Sequence, residues 1–102
     1  MHDALVEVSV LYVERCPHVA LATERVATAL DRLGIDAPVL EQVVESEERA
    51  AALGFGGSPT VLVDGVDLFP TRTAGLSCRL YATEDGAEGA PSVGQLVEAL
   101  RR

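Results

Sequence analysis

Tryptophan is absent from this 102-residue chain, and aromatic residues make up only 4% of it. Nearly half of the chain is apolar all the same, at 48%. A core must therefore be built mainly from Val, Leu and Ala. Basic residues are scarce, with eight Lys and Arg against sixteen Asp and Glu and a formal net charge of -8. A nucleic-acid backbone or an anionic membrane demands a basic patch, so neither is an expected partner. The acid surplus reads as a soluble, self-repelling surface. No apolar run approaches the ~20 residues that cross a bilayer. The N-terminus has no basic leader followed by an apolar stretch and a small-residue cleavage site. The cytoplasm is the expected location. The two cysteines, Cys16 and Cys78, are then expected to rest as thiols. Thiol chemistry or metal binding is a more natural reading of them than a structural staple. Gly54-Phe55-Gly56-Gly57 lacks the Lys-Ser/Thr ending of a phosphate loop, and no cofactor is expected.

The chain length suits one domain over residues 1–102. Met1 to Ala4 reads as a loose start. Leu5 to Val13 is rich in Val and ends in the continuous apolar run Val10-Leu11-Tyr12-Val13, which predicts a central strand buried on both faces. Cys16-Pro17 follows, and Pro is favoured in a first helical turn. Val19, Thr23, Val26, Leu30 and Leu33 then recur at helical spacing. A helix is predicted from about Pro17 to Leu33, stopped by Gly34, with Cys16 at its N-terminus.

Pro38 to Val44 reads as a second strand. Ser46 offers an N-cap, Glu47 and Glu48 suit the positive end of a helix dipole, and Gly54 ends a short helix. Thr60-Val61-Leu62-Val63 is a compact strand, Asp64-Gly65 a two-residue hairpin turn, and Val66 to Phe69 the returning strand. Between Pro70 and Pro91 the reading is less defined. A short extra strand is expected within 78–83, over Arg79-Leu80-Tyr81-Ala82-Thr83, and Glu84 to Gly89 reads as a turn or mobile loop. Ser92 and Gln95 form a capping-box pair, and Val93, Leu96, Val97 and Leu100 give the face of a closing helix. The predicted class is α/β, in the order βαβ, α, ββα. The sheet is mixed and four-stranded, with helices on both faces.

That order, with Cys16-Pro17-His18 at the first strand–helix junction and Ser58-Pro59-Thr60 before the third strand, resembles the thioredoxin superfamily. The resemblance covers nearly the whole chain outside Pro70 to Pro91. It implies a nucleophilic Cys16 and a cis Pro59 beside it. Cys16-Pro17-His18-Val19 looks like the Cys-Pro-His-Cys of disulfide oxidoreductases, with Val19 in place of the resolving cysteine. A narrower resemblance is to small thioredoxin-like relatives of organomercurial (alkylmercury) lyase. Its carriers are Cys16-Pro17, the stretch from Gly57 to Gly65 and Gly75-Leu76-Ser77-Cys78-Arg79-Leu80-Tyr81. It implies that Cys16 and Cys78 match that family's two cysteines. Val19 stands where the lyase has a proton-donating Asp, so the implied role is binding without full lyase chemistry.

Cys16 is the leading candidate. A thiolate is the reactive form of cysteine, and a helix N-terminus stabilises it through unpaired N–H groups and the dipole. His18 is the candidate donor of partial positive charge or a hydrogen bond. Cys78 reads either as a second functional thiol or as a core residue of a short strand, alternating with Leu80. Pro17, Ser58, Pro59 and Thr60 are the expected substrate-binding residues. No zinc-finger spacing joins the cysteines to His18, and two close thiolates would suit a soft metal ion such as mercury, copper(I) or zinc. Three functions follow. The first is a thiol-redox protein acting through nucleophilic Cys16, either as a monothiol resolved by an external thiol or as a Cys16/Cys78 dithiol, a thiol-disulfide oxidoreductase if it turns over, with a thiol or disulfide substrate on a protein or small molecule. The second is a soft-metal or organomercurial binder. The third is an interaction protein that keeps the fold without the chemistry.

Overall fold

The apolar run near the N-terminus forms the centre of a sheet. In the computed structural model, which describes residues 6–70, 76 and 78–101, β1 (Val8–Tyr12) lies between β2 (Val39–Val43) and β3 (Thr60–Val63), and β4 (Val66–Asp67) completes the order β2-β1-β3-β4. The β1–β2 pair is parallel, with Val8 opposite Val39. The β1–β3 and β3–β4 pairs are antiparallel, with Leu11 opposite Thr60 and Val63 opposite Val66. Helices α1 (Val19–Arg32), α2 (Glu47–Leu53) and α3 (Val93–Leu100) cover this sheet. The result is a small α/β structure with a mixed four-stranded sheet. The expected loose start at Met1–Ala4 and most of the connection after Pro70 lie outside the described residues.

Alternation along the strands divides the core, because successive strand residues point to opposite faces. Val8, Val10 and Val61 pack with Ala22, Val26, Ala29 and Leu30 of α1 and Leu96 of α3. Leu11 and Leu62 face the other way, onto Val44, Ala50 of α2 and Phe55. Thus α1 and α3 lie on one face and α2 on the other. Among the described residues, no helix is long and apolar enough to cross a membrane.

Local chemistry sets the element ends. Ser46 accepts a hydrogen bond from the Arg49 N–H, and Gly54 closes α2 in the left-handed conformation, which glycine adopts without steric cost. Asp64 and Gly65 both take positive φ, at 52° and 83°, matching the mirror-image turn that suits a twisted hairpin. Asp64 also clasps the start of β1. Its Oδ1 accepts from the Glu7 N–H at 2.9 Å, and its own N–H donates to the Glu7 carbonyl at 2.8 Å. α3 carries the full Ser92–Gln95 capping box.

Three boundaries differ from expectation. α1 begins at Val19, with His18 as N-cap and no side-chain cap hydrogen bond. Pro17 lies outside it, because a turn comes first, closed by the Cys16 N–H on the Val13 carbonyl at 3.0 Å. β4 stops at Asp67 rather than Phe69. The Asp67 carboxylate takes the Phe69 N–H at 2.8 Å and so turns the chain away from the sheet edge. Residues 84–89 are no simple loop, since β5 (Tyr81–Thr83) and β6 (Gly86–Glu88) form an antiparallel hairpin of their own. Gly86 has φ 103°, and the Thr83 hydroxyl ties the turn by accepting from the Asp85 N–H and donating to the Gly86 carbonyl.

The hairpin is docked by polar contacts. Arg25 of α1 pairs with Glu88 at 2.7 Å and donates to the carbonyls of Ala90 and Pro91. Gln95 of α3 donates to the Ala82 carbonyl at 2.6 Å. The hairpin is thereby joined to both helices of one face.

Candidate thiol site

Ser58 organises the neighbourhood of both cysteines. Its side-chain oxygen accepts from the Val13 N–H at 3.0 Å, just past the end of β1. The Val13 carbonyl in turn accepts the Cys16 N–H. On its other side Ser58 forms a parallel bridge with Cys78, and the Ser58 carbonyl accepts from the Arg79 N–H at 2.8 Å. The segments that carry Cys16 and Cys78 are therefore both fixed to one residue. Both cysteines are free thiols. Cys16 is 8% exposed, whereas Cys78 is open to solvent.

The core alternative for Cys78 fails. Cys78 and Leu80 both face solvent, Leu80 with 69% of its surface exposed. Arg79 and Tyr81 are the inward pair. The alternation expected along this segment is present with the opposite phase.

Ser58, Pro59 and Thr60 are all buried, and the Ser58–Pro59 peptide bond is cis. The Thr60 hydroxyl donates to the Gly57 carbonyl and accepts from Arg79 Nη1 at 3.3 Å. Tyr81 donates its phenolic hydrogen to the Pro59 carbonyl. Burial pushes the Tyr81 phenol well above its ordinary pKa. The Arg79 guanidinium opposes that rise, while the charges of Asp67 and Cys16 add to it.

His18 is half-buried and Pro17 exposed. The His18 ring lies flush against Gly89, where a Cβ would come within 2.3 Å of its Cδ2 and Cγ. The imidazole is therefore packed onto the chain between β6 and α3. It stands at the first turn of α1, which has neither a capping side chain nor an acidic residue. The other two helices have serine caps, and α2 carries two acids in its first turn. The electropositive end of α1, just after Cys16, is the one left without side-chain compensation.

Arg79 and Tyr81 stand inside the Gly75–Tyr81 motif, but motif reading gave neither a role, and both support the loop from behind. The Arg79 side chain pairs with Asp67 at 3.1 Å, donates to the Phe69 carbonyl and lies 4.5 Å over the Tyr81 ring. Phe69 meets the same ring edge-on, at 5.7 Å between centroids. Among the described residues, no group of three or more His, Cys, Asp or Glu side chains converges as a metal cluster would.

Fold and site together define a small α/β protein with two free thiols on segments tied to one buried serine–proline–threonine loop. Comparison with known family models, with curated proteins and with solved structures finds no match to this chain.

Proposed function

We propose that this chain is a thioredoxin-like thiol-redox protein in which Cys16 is the nucleophile and Cys78 resolves the mixed disulfide. The observation that carries this reading is that the backbone segments bearing the two free thiols are both tied to Ser58, one through Val13 and the other by the bridge at Cys78. Further support comes from the strand order β2-β1-β3-β4 and from α1 and α3 sharing one face.

The chemistry balances as a two-electron exchange. The Cys16 thiolate attacks one sulfur of a substrate disulfide, forming a mixed disulfide and releasing the other sulfur as a thiolate. The Cys78 thiolate then attacks Cys16 sulfur and releases the second substrate thiolate. Each released thiolate takes up a proton of the kind the protein thiols gave up. The substrate is reduced to two thiols, and the protein is left with a Cys16–Cys78 disulfide. An external thiol of the same class restores the dithiol by the reverse steps. Pro17, exposed beside Cys16, and the exposed Cys78 lie where a substrate would approach, and the buried Ser58-Pro59-Thr60 loop supports them from within.

The test is reaction with glutathione disulfide, followed by intact-protein mass spectrometry. Cys78→Ser is expected to accumulate a stable glutathione adduct at Cys16. The unaltered chain is expected to pass through that adduct to an internal disulfide, and Cys16→Ser to form none. A folded Cys78→Ser protein that takes up no glutathione at Cys16 would leave a fold without this chemistry, which is the interaction-protein alternative.

A further inference from the structure

Among the described residues, the start of the strip from Cys78 to Tyr81 is joined by its backbone to Ser58. One isolated bridge joins Cys78 to Ser58, and one backbone hydrogen bond joins Arg79 to the same residue. A single bridge does not hold a segment in register by itself, because register is set by extended pairing or by side chains. Here the Arg79 side chain adds anchors of its own. Its guanidinium reaches Thr60 at the start of β3, Asp67 of β4 and the Phe69 carbonyl, and stacks on Tyr81. The ion pair is largely shielded, with side-chain exposures of 10% for Arg79 and 13% for Asp67.

We infer that Arg79 is a positioning residue, whose guanidinium fork holds the exposed Cys78 thiol at the Ser58 loop for attack on a mixed disulfide at Cys16. This rests on the dithiol reading above and names the part that sets the second step. The fork matters as much as the charge. Arginine presents several donors in a fixed plane and stacks on aromatic faces, whereas lysine offers a single flexible ammonium. Among the described residues, the Arg79 side chain makes its contacts with Thr60, Asp67, Phe69 and Tyr81. It acts through Cys78 by fixing the segment next to it.

The consequence is a split between the two steps. In a Cys78→Ser background, Arg79→Lys is expected to leave the rate of glutathione addition at Cys16 unchanged. With Cys78 present, the same substitution is expected to slow conversion of the adduct to the internal disulfide by roughly tenfold or more, since loss of fixed geometry lowers effective concentration. Asp67→Asn, which keeps the arginine and removes its anionic anchor, is expected to slow the same step by a smaller factor. Alkylation of Cys78 in a Cys16→Ser background reports whether the thiol stays accessible, and it is expected not to fall. Thermal melts of the reduced proteins identify any variant that does not fold, and the substitution that does fold carries the comparison.

Equal slowing of both steps would make Arg79 a general structural residue and overturn the inference. An unchanged second step in folded Arg79→Lys and Asp67→Asn would overturn it as well. If the unaltered chain stops at the Cys16 adduct, the resolving role of Cys78 fails first, and the inference falls with it. That outcome is visible before any Arg79 variant is made.

Discussion

Gly89→Ala is the most direct probe of how His18 is seated. A Cβ at Gly89 would lie 2.3 Å from His18 Cδ2 and Cγ and 2.6 Å from Nδ1. These are mid-ring atoms more than an ångström inside ordinary van der Waals contact, and they cannot swing away like the tip of a lysine. Relief requires the whole imidazole to turn, at the residue that caps α1. Overpacking of this kind costs about 1–3 kcal/mol. Gly89 is not among the glycines with positive φ, so the backbone itself accepts alanine. The lower entropy of the unfolded alanine chain returns about 0.4–1 kcal/mol. The net expectation is a loss of roughly 1–2 kcal/mol, which in a domain of this size lowers Tm by about 4–16 °C. The assay is thermal and urea unfolding of four proteins: the unaltered chain, Gly89→Ala, His18→Ala and the double variant. With the ring gone, Gly89→Ala should become neutral or stabilising, and the cycle should yield a coupling of about 1–3 kcal/mol. Equal destabilisation with and without His18 would refute the reasoning, because the cost would not then lie in the ring contact.

Other consequences follow from the same contacts. Tyr81→Phe removes the donor to the buried Pro59 carbonyl and should cost about 1–3 kcal/mol in urea unfolding near neutral pH. Burial raises the Tyr81 phenol pKa in the folded state, so the unfolded chain releases that proton first. Stability should therefore be intact below the ordinary tyrosine value of about 10 and decline above it, and Tyr81→Phe should flatten the decline. At the acid end, the Ser92 hydroxyl, helped by the backbone N–H of Glu84, holds the Glu84 carboxyl below its ordinary value. Its contribution should be present above the ordinary carboxylate range and vanish as pH falls through the lowered value. Ser92→Ala, which also deletes the α3 cap, should cost about 0.5–2 kcal/mol near neutral pH and weaken that acid-side dependence in melts recorded across the range.

Much of the architecture was legible because its signals are local. Ser46 and Gly54 delimit α2, Asp64-Gly65 makes the hairpin turn, and Ser92–Gln95 caps α3, each by contacts within a few residues. The alternation of Val8, Val10 and Leu11 likewise places β1 between two layers. What local signals missed depends on distant partners. Pro17 is compatible with a first helical turn, but the Val13–Cys16 turn delays the helix to Val19. The Glu84–Gly89 stretch has few β-formers and reads as loop, yet Asp85-Gly86 carries the same dipeptide as the turn at Asp64-Gly65, and that signal could have found the second hairpin. In the site, Cys16 and the Ser58–Thr60 loop stood out through their resemblance to a known pattern. Arg79 did not, since its meaning comes from Asp67, Phe69 and Thr60, which become neighbours only after folding. The inward and outward phase of Cys78 and Leu80 was equally unreadable without the bridge to Ser58.

The placement of β1 has a consequence for the order in which the molecule assembles. Val8 pairs with Val39 on one side and with Val63 on the other, so neither neighbour of the central strand is local. The helices and the turn at Asp64-Gly65 form from nearby residues. The sheet requires two long loop closures, whose entropy must be overcome before the pairing rewards it. The thiol site is drawn from residues near positions 16, 58 and 79, so it depends on those same closures. Before that point the two cysteines are ordinary thiols on a flexible chain, and any chemistry special to them is a property of the finished sheet alone.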